Sequence, residues 1–226
     1  MTTEAATKAI NSYVTDMLAL EKHIQKAIAG QIEDLDEEDP GFVGELRGIN
    51  ATIERHIASL EELAERREGG GQRVSDAVKR AASNILGAGA ALVDFVRTES
   101  LPKNLRDDYT AMSLASIGYV MLYTTATSLD DAEVASLAHS HFRDHAGAVM
   151  RLNDIIPASV VRFLQKDGLP ARSDVLGEVS QAIEAVWRSE PGTAAGDDAT
   201  TRRRSGTADV RWDRAVGDRG TDAELR

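Results

Sequence analysis

The placement of proline most constrains how this chain can fold. Its five prolines, at positions 40, 102, 157, 170 and 191, all lie near the ends of stretches whose apolar residues recur with a helical period. A proline inside a helix removes one hydrogen bond and clashes with the preceding turn, so these stretches are free to form long helices. They are rich in alanine, and no run of alternating β-branched and aromatic residues indicates a sheet. The sequence therefore predicts an all-α fold.

The apolar spacing predicts four long helices and several shorter segments. Pro157 is expected to end or kink the last long helix, and a short helix then continues to Lys166. An alanine- and glycine-rich segment over 72–96 is interpreted as an additional helix that crosses the others closely. The four long helices are expected over about 4–34, 42–67, 104–127 and 131–156.

The chain is predicted to contain a helical bundle over 1–168, a C-terminal extension helix over 169–190 and a disordered tail over 191–226. The tail has few apolar residues, and its seven acidic side chains balance its seven arginines, so the net charge of −11 belongs to the rest of the chain. The segment 210–212, Val-Arg-Trp, could dock a partner protein, although an inert linker is the preferred interpretation of the tail.

Composition excludes several classes of protein. The 226 residues include no cysteine, which excludes disulfides, thiolate metal sites and cysteine nucleophiles. The net charge of −11 argues against nucleic-acid binding, because contact with phosphates needs a basic surface. No apolar run approaches the length of a membrane span, and the N-terminus lacks the apolar core of a signal peptide. A soluble, cytoplasmic protein without membrane partners is therefore expected.

Polar side chains occupy several positions where the helical period calls for an apolar residue. Glu21 interrupts the apolar stripe of the first long helix, and His56 interrupts that of the second. Tyr119 takes the equivalent position on the third, and His141 and His145 lie one turn apart on the fourth. A buried carboxylate without a partner costs several kcal/mol, so Glu21 must be paired, protonated or bound to a cation.

These five side chains are expected to meet near the middle of the bundle. An antiparallel pairing of the first two long helices places Glu21 within a turn of His56, and pairing of the last two places Tyr119 near His141. Imidazole and carboxylate groups suit Fe, Mn or Zn, so Glu21, His56, His141 and His145 are the predicted metal ligands. A polar layer that contains no metal is the alternative.

The order of helices and two short motifs resemble the ferritin-like superfamily, specifically the small bacterial stress proteins of the YciE/YciF type. The motifs are Ala-Leu-Glu-Lys-His-Ile over 19–24, and Glu-Arg-His-Ile over 54–57 followed by Leu-Glu-Glu-Leu over 60–63. An intervening short helix, Tyr119 and the final bundle helix follow in the same order. The resemblance covers about residues 5–156.

The resemblance implies a ferritin-like four-helix bundle with a carboxylate-bridged di-iron site, in which Glu21 matches the first glutamate and His56 the first histidine. Two adjacent metal ions need several bridging carboxylates, which this chain lacks, so one ion or none is expected. Glu54, Asp144 and Tyr119 are expected to support the ligands. The positions at which the family pattern calls for acids hold other residues: Ile53, Met112, Ala115 and Phe142.

Two functions therefore follow as hypotheses. One is a ferritin-like bundle protein with a degenerate His/Glu site that binds a metal and serves in a stress response. The other is a non-catalytic structural or interaction protein that has lost its metal and acts through oligomerisation or by docking a partner. A homodimer is expected in either case, with the extension helix around Trp187 as the suspected contact surface.

Overall fold

The chain folds into long α-helices. A computed structural model describes residues 3–35, 39–68, 100–188 and four positions between 76 and 81. Over this part of the chain no strand is present, which confirms the all-α prediction. The defined helices are α1 (Glu4–Asp34), α2 (Pro40–Glu68), α3 (Leu101–Ser128), α4 (Ala132–Lys166) and α5 (Leu176–Arg188).

Local sequence explains where the helices begin. The Thr3 hydroxyl accepts a hydrogen bond from the backbone N–H of Ala6 at the start of α1, and the Asp131 carboxylate accepts one from Val134 at the start of α4. Such caps satisfy N–H groups that have no partner inside a helix. Pro102 lies in the first turn of α3, where its missing N–H costs nothing. Between α3 and α4 the chain turns sharply, and Asp130 adopts a positive φ of 57°.

Of the two outcomes expected at Pro157, an end of the helix is wrong, because α4 continues through this residue to Lys166. Proline forfeits its own backbone hydrogen bond, but contacts beyond it hold the last turns in place. Asp39, at the start of α2, accepts hydrogen bonds from Arg162 at 2.9 Å and from Lys166 at 2.6 Å. Burial raises the pKa of Asp39, but the bonds from Lys166 and Arg162 outweigh burial and lower it. Tertiary contacts thus compensate for the local cost of proline.

Four helices enclose one apolar core. Helix α1 packs against α2 and α3, and α4 packs against α3 and α2, so each helix contacts two others around a ring. Their inner faces supply the buried residues that the apolar spacing predicts, and none of the residues of α5 is buried. The largest fully buried side chains include Ile10, Leu18 and Ile28 of α1, Leu46, Ile49, Ile53, Leu60 and Leu63 of α2, Leu105, Met112, Tyr119 and Leu122 of α3.

Parts of the predicted organisation fall outside the described residues. The crossing helix expected over 72–96 is described only at Asp76, Val78, Lys79 and Ala81, all of which are helical. The chain divides into two compact units, Met1–Val186 and Trp187–Arg226, and the second is described only at Trp187 and Arg188. The tail over 191–226 lies outside the description entirely. Within the described ranges, no helix combines the length and hydropathy needed to cross a membrane.

Replacing Asp39 with alanine is expected to loosen α4 beyond Pro157. Both cations of the cluster are about 40% exposed, so we expect the free energy of unfolding to fall by only about 1 kcal/mol. Amide hydrogen exchange should accelerate over 158–166 and remain unchanged in the first half of α4. Asp174→Ala is the control, because Asp174 forms a comparable bond to Arg172 at the surface. Unchanged exchange over 158–166 in Asp39→Ala would refute this role.

Candidate metal centre

The four packed helices bring five polar side chains together in the core. Glu21 comes from α1, His56 from α2 and Tyr119 from α3, while His141 and His145 come from α4. All five are buried. They lie at the positions where the apolar stripes are interrupted, so the helical period that builds the core also directs these side chains into it.

Glu21 is the centre of the cluster. Its Oε1 atom accepts a hydrogen bond from the Tyr119 hydroxyl at 2.6 Å. The same oxygen lies 2.7 Å from Nε2 of His145 and 3.1 Å from Nδ1 of His56. The second carboxylate oxygen, Oε2, is buried and has no hydrogen-bonding partner. Three contacts on one oxygen and none on the other leave half of the carboxylate available to a ligand.

The electrostatic environment keeps Glu21 ionised and Tyr119 protonated. Burial raises the pKa of Glu21, but the hydrogen bonds to His145 and His56 outweigh burial and lower the pKa to about 2. Burial, with the neighbouring charge of Glu21, raises the pKa of Tyr119 well above its usual value. A protonated phenol beside a carboxylate donates a hydrogen bond to it, and such charge-assisted hydrogen bonds are short, as observed here.

The direction of the Tyr119 hydrogen bond determines which ring nitrogen of His141 carries the proton. Because the Tyr119 hydroxyl donates to Glu21, it accepts a hydrogen bond from Nδ1 of His141, which lies 3.0 Å away. Burial, followed by the neighbouring His56, lowers the pKa of His141 to about 3, so the ring is neutral. The other ring nitrogen of His141, Nε2, lies 3.1 Å from the hydroxyl oxygen of Ser59, and that hydroxyl donates to the backbone carbonyl of His56 at 2.9 Å.

His56 connects the buried cluster to the protein surface. Its Nε2 atom lies 3.1 Å from Oδ2 of Asp144, whose side chain is 41% exposed. The ring of His56 stacks on that of His141, with centroids 3.8 Å apart and planes 15° apart. His145 has a less polar neighbour, since its Nδ1 atom lies 3.2 Å from the sulfur of Met112.

Three of these residues form a group that could hold a metal ion. One ligand atom from each of Glu21, His56 and His141 lies within 4.8 Å of the others, and all three residues are buried. One carboxylate and two imidazoles form a donor set suited to Fe, Mn or Zn. His145, predicted as a fourth ligand, is outside this group and instead contacts the Glu21 oxygen at 2.7 Å. The unpartnered Oε2 of Glu21 supports the fit of one ion.

Glu54 is the one predicted site residue that lies away from the cluster. It is exposed, and its carboxylate accepts a hydrogen bond from the side-chain amide of Asn50 at 2.8 Å. Two residues along a helix correspond to a rotation of about 200°, so Glu54 and His56 point in nearly opposite directions. The expectation that Glu54 supports the ligands is therefore wrong. Asp144, in contrast, lies beside His56 as described above.

Sequence reasoning missed Ser59 and the role of Met112. Ser59 lies three residues after His56, and this spacing places both side chains on one face of α2. The spacing was the sequence feature that could have indicated that Ser59 lies near the cluster. The sequence resemblance implies an acid at position 112, where Met112 stands instead, and the sulfur of Met112 lies 3.2 Å from Nδ1 of His145. An apolar thioether in that position removes a carboxylate that a second metal ion would need.

A buried carboxyl on α3, that of Asp108, belongs to a separate pair. Asp108 accepts a hydrogen bond from the amide nitrogen of Gln31 at 2.9 Å. The remaining oxygens of both side chains are buried without partners. Burial raises the pKa of Asp108 to about 7, against the lowering effect of Gln31 and with a further increase from Asp107. Asp108 contacts Gln31 and does not belong to the cluster around Glu21. That cluster therefore has one buried carboxylate, which suits one metal ion rather than two.

Comparisons of the chain with protein-family models, with curated proteins and with solved structures find no match.

Replacing Glu21 with alanine is expected to lower the free energy of unfolding by about 3 to 5 kcal/mol, because it leaves the polar groups of His56, His145 and Tyr119 buried without their common partner. Urea unfolding at neutral pH measures this change. His139→Ala is the matched control, since His139 lies on α4 but is exposed. A loss below about 1 kcal/mol for Glu21→Ala would show that the cluster does not depend on this carboxylate.

Asp108 is expected to make the folded state less stable as pH rises. Its pKa is about 7 in the folded protein, well above the ordinary aspartate pKa of 3.8, so the folded state retains a proton that the unfolded chain has lost. The free energy of unfolding should therefore fall by about 1 kcal/mol per pH unit between about pH 4 and pH 7.

Asp108→Asn tests this expectation, because asparagine is close in shape to the protonated acid and does not titrate. Urea unfolding of both proteins at pH 5 and pH 8 isolates the contribution of this residue. The variant should gain stability relative to the wild type by a few kcal/mol between the two pH values. The same pH dependence in both proteins would contradict the assignment.

Proposed function

We propose that this protein is a ferritin-like helical bundle that binds one Fe, Mn or Zn ion in its core and serves in a stress response. The observation that carries the proposal is the buried group of Glu21, His56 and His141, together with the unpartnered oxygen of Glu21. The ring of four packed helices, each of which contributes to the cluster, supports the ferritin-like part. The stress-related role depends on the resemblance of the sequence alone.

In this proposal each residue of the cluster has a distinct role. Glu21, His56 and His141 hold the ion, which when bound supplies a Lewis acid or a redox centre. Tyr119 and His145 fix the orientation of the Glu21 carboxylate through its Oε1 atom. Asp144 orients the ring of His56, as carboxylates commonly do for histidine ligands. The surrounding apolar core limits the access of water.

Metal analysis of the full chain is the direct test. Protein purified without chelators and without a histidine tag is expected to contain close to one Fe, Mn or Zn ion per chain. The double variant Glu21→Ala/His56→Ala should lose this metal, and the surface variant His139→Ala should retain it. Circular dichroism confirms that each variant is folded. Absence of metal from the wild type, even after anaerobic incubation with Fe(II), would refute the proposal.

The alternative is a structural or interaction protein that needs no metal. It is favoured by one observation: both ring nitrogens of His56, His141 and His145 already have a neighbouring protein atom within hydrogen-bonding distance. A polar network in which the histidine nitrogens already have protein neighbours stabilises a core without an ion. In this case, addition of EDTA or of Fe(II) should leave the melting temperature unchanged, whereas a bound ion should raise it.

A further inference from the structure

Helix α3 carries the longest uncharged surface of the described helices. No Asp, Glu, Lys or Arg occurs over 110–129, although the chain as a whole has a net charge of −11. The outward face of this segment exposes large apolar side chains, of which Ile117 is the most exposed at 59%. Leu114, Val120 and Met121 are exposed on either side of it. Their spacing places them with Ile117 along one stripe of the helix.

Two pairs of positions on this stripe are alike about Ile117, whereas Met121 has Ser113 as its counterpart. Leu114 and Val120 lie three residues before and after it, and Thr110 and Thr124 lie seven residues before and after it. In two antiparallel helices related by a twofold axis at Ile117, each residue meets its symmetric counterpart. Leu114 of one copy then contacts Val120 of the other, and the two Ile117 side chains meet on the axis.

We propose that two copies of this chain associate through the outward faces of α3, antiparallel about a twofold axis at Ile117. This inference goes beyond the proposed metal function, because the stripe lies on the face of α3 opposite Tyr119 and the core.

Charge explains why a second copy fits this surface. Two chains that each carry a net charge of −11 repel one another, and an uncharged contact surface keeps that repulsion lowest. The ends of the stripe have opposite charges: Lys103 is near the start of α3, and Asp130 directly follows its end. The antiparallel arrangement places Lys103 of each copy at the level of Asp130 of the other.

The size of the contact sets the expected affinity. The uncharged segment of about 20 residues is about 30 Å long, and a single pair of such helices is a small interface. We therefore expect a dissociation constant in the micromolar range. Sedimentation velocity of the full chain, from low micromolar concentrations to about 200 µM, should show a shift from monomer to dimer.

Ile117→Lys is expected to weaken the dimer, because it places two like charges on the twofold axis. The dissociation constant should rise by at least about tenfold, with an unchanged melting temperature because the position is exposed. Met150→Lys is the matched control, since Met150 is also a large apolar side chain, 48% exposed, but lies on α4; this variant should remain dimeric. A monomeric wild type at about 200 µM, or a dimer unaffected by Ile117→Lys, would overturn the proposal.

Cysteine substitution tests the register, because the chain has no cysteine of its own. Ile117→Cys alone should form a disulfide-linked dimer on mild oxidation. Leu114→Cys and Val120→Cys should crosslink efficiently only when the two variants are mixed, because each of these residues faces the other across the axis. Met150→Cys should not crosslink. Efficient crosslinking of Leu114→Cys with itself would indicate a parallel arrangement or a different register and would also overturn the proposal.

Discussion

The convergence of three side chains on one oxygen of Glu21 fixes the arrangement of the bundle. An ionised carboxylate in an apolar core costs several kcal/mol unless its environment replaces the water that it loses. Here the replacement comes from His56 of α2, Tyr119 of α3 and His145 of α4, all within 3.1 Å of the same atom. A shift of any one helix along its axis would break this contact. One side chain of α1 therefore sets the level of the three other helices.

The direction of each hydrogen bond in the cluster follows from the charge of Glu21. The carboxylate makes Tyr119 a donor, and Tyr119 in turn makes Nδ1 of His141 a donor, while Nε2 of His141 lies beside the Ser59 hydroxyl. Such a chain of dependent bonds makes the cluster a unit, in which the loss of one member changes the others. The buried pair of Asp108 and Gln31 is different, because it is stable when the acid is neutral. The same fold thus holds one buried carboxyl charged and another protonated.

The sequence predicted which polar side chains are buried better than it predicted their hydrogen-bond partners. Helical period places Glu21, His56, His141 and His145 on buried faces, because burial depends only on the angle of a residue around its helix. The same angle explains why Glu54, two positions from His56, points to solvent. Hydrogen-bond partners such as Ser59 depend on side-chain rotamers and helix levels, which one sequence does not specify. Pro157 shows the same limit, since distant contacts of Asp39 with Arg162 and Lys166 outweigh a local preference.

The separation of the contacting residues along the chain has a consequence for folding kinetics. Tyr119 and His141 are 22 residues apart across the sharp turn between α3 and α4, and Glu21 and His56 are 35 apart. Contacts between the two halves span 98 residues for Tyr119 with Glu21 and 124 for His145 with Glu21. Closing short loops costs less entropy and is faster. We therefore expect two helical hairpins to form first, each with polar groups that are satisfied only when the halves dock. Docking then completes the cluster in a single late step, which refolding measurements on Tyr119 and His56 variants would resolve.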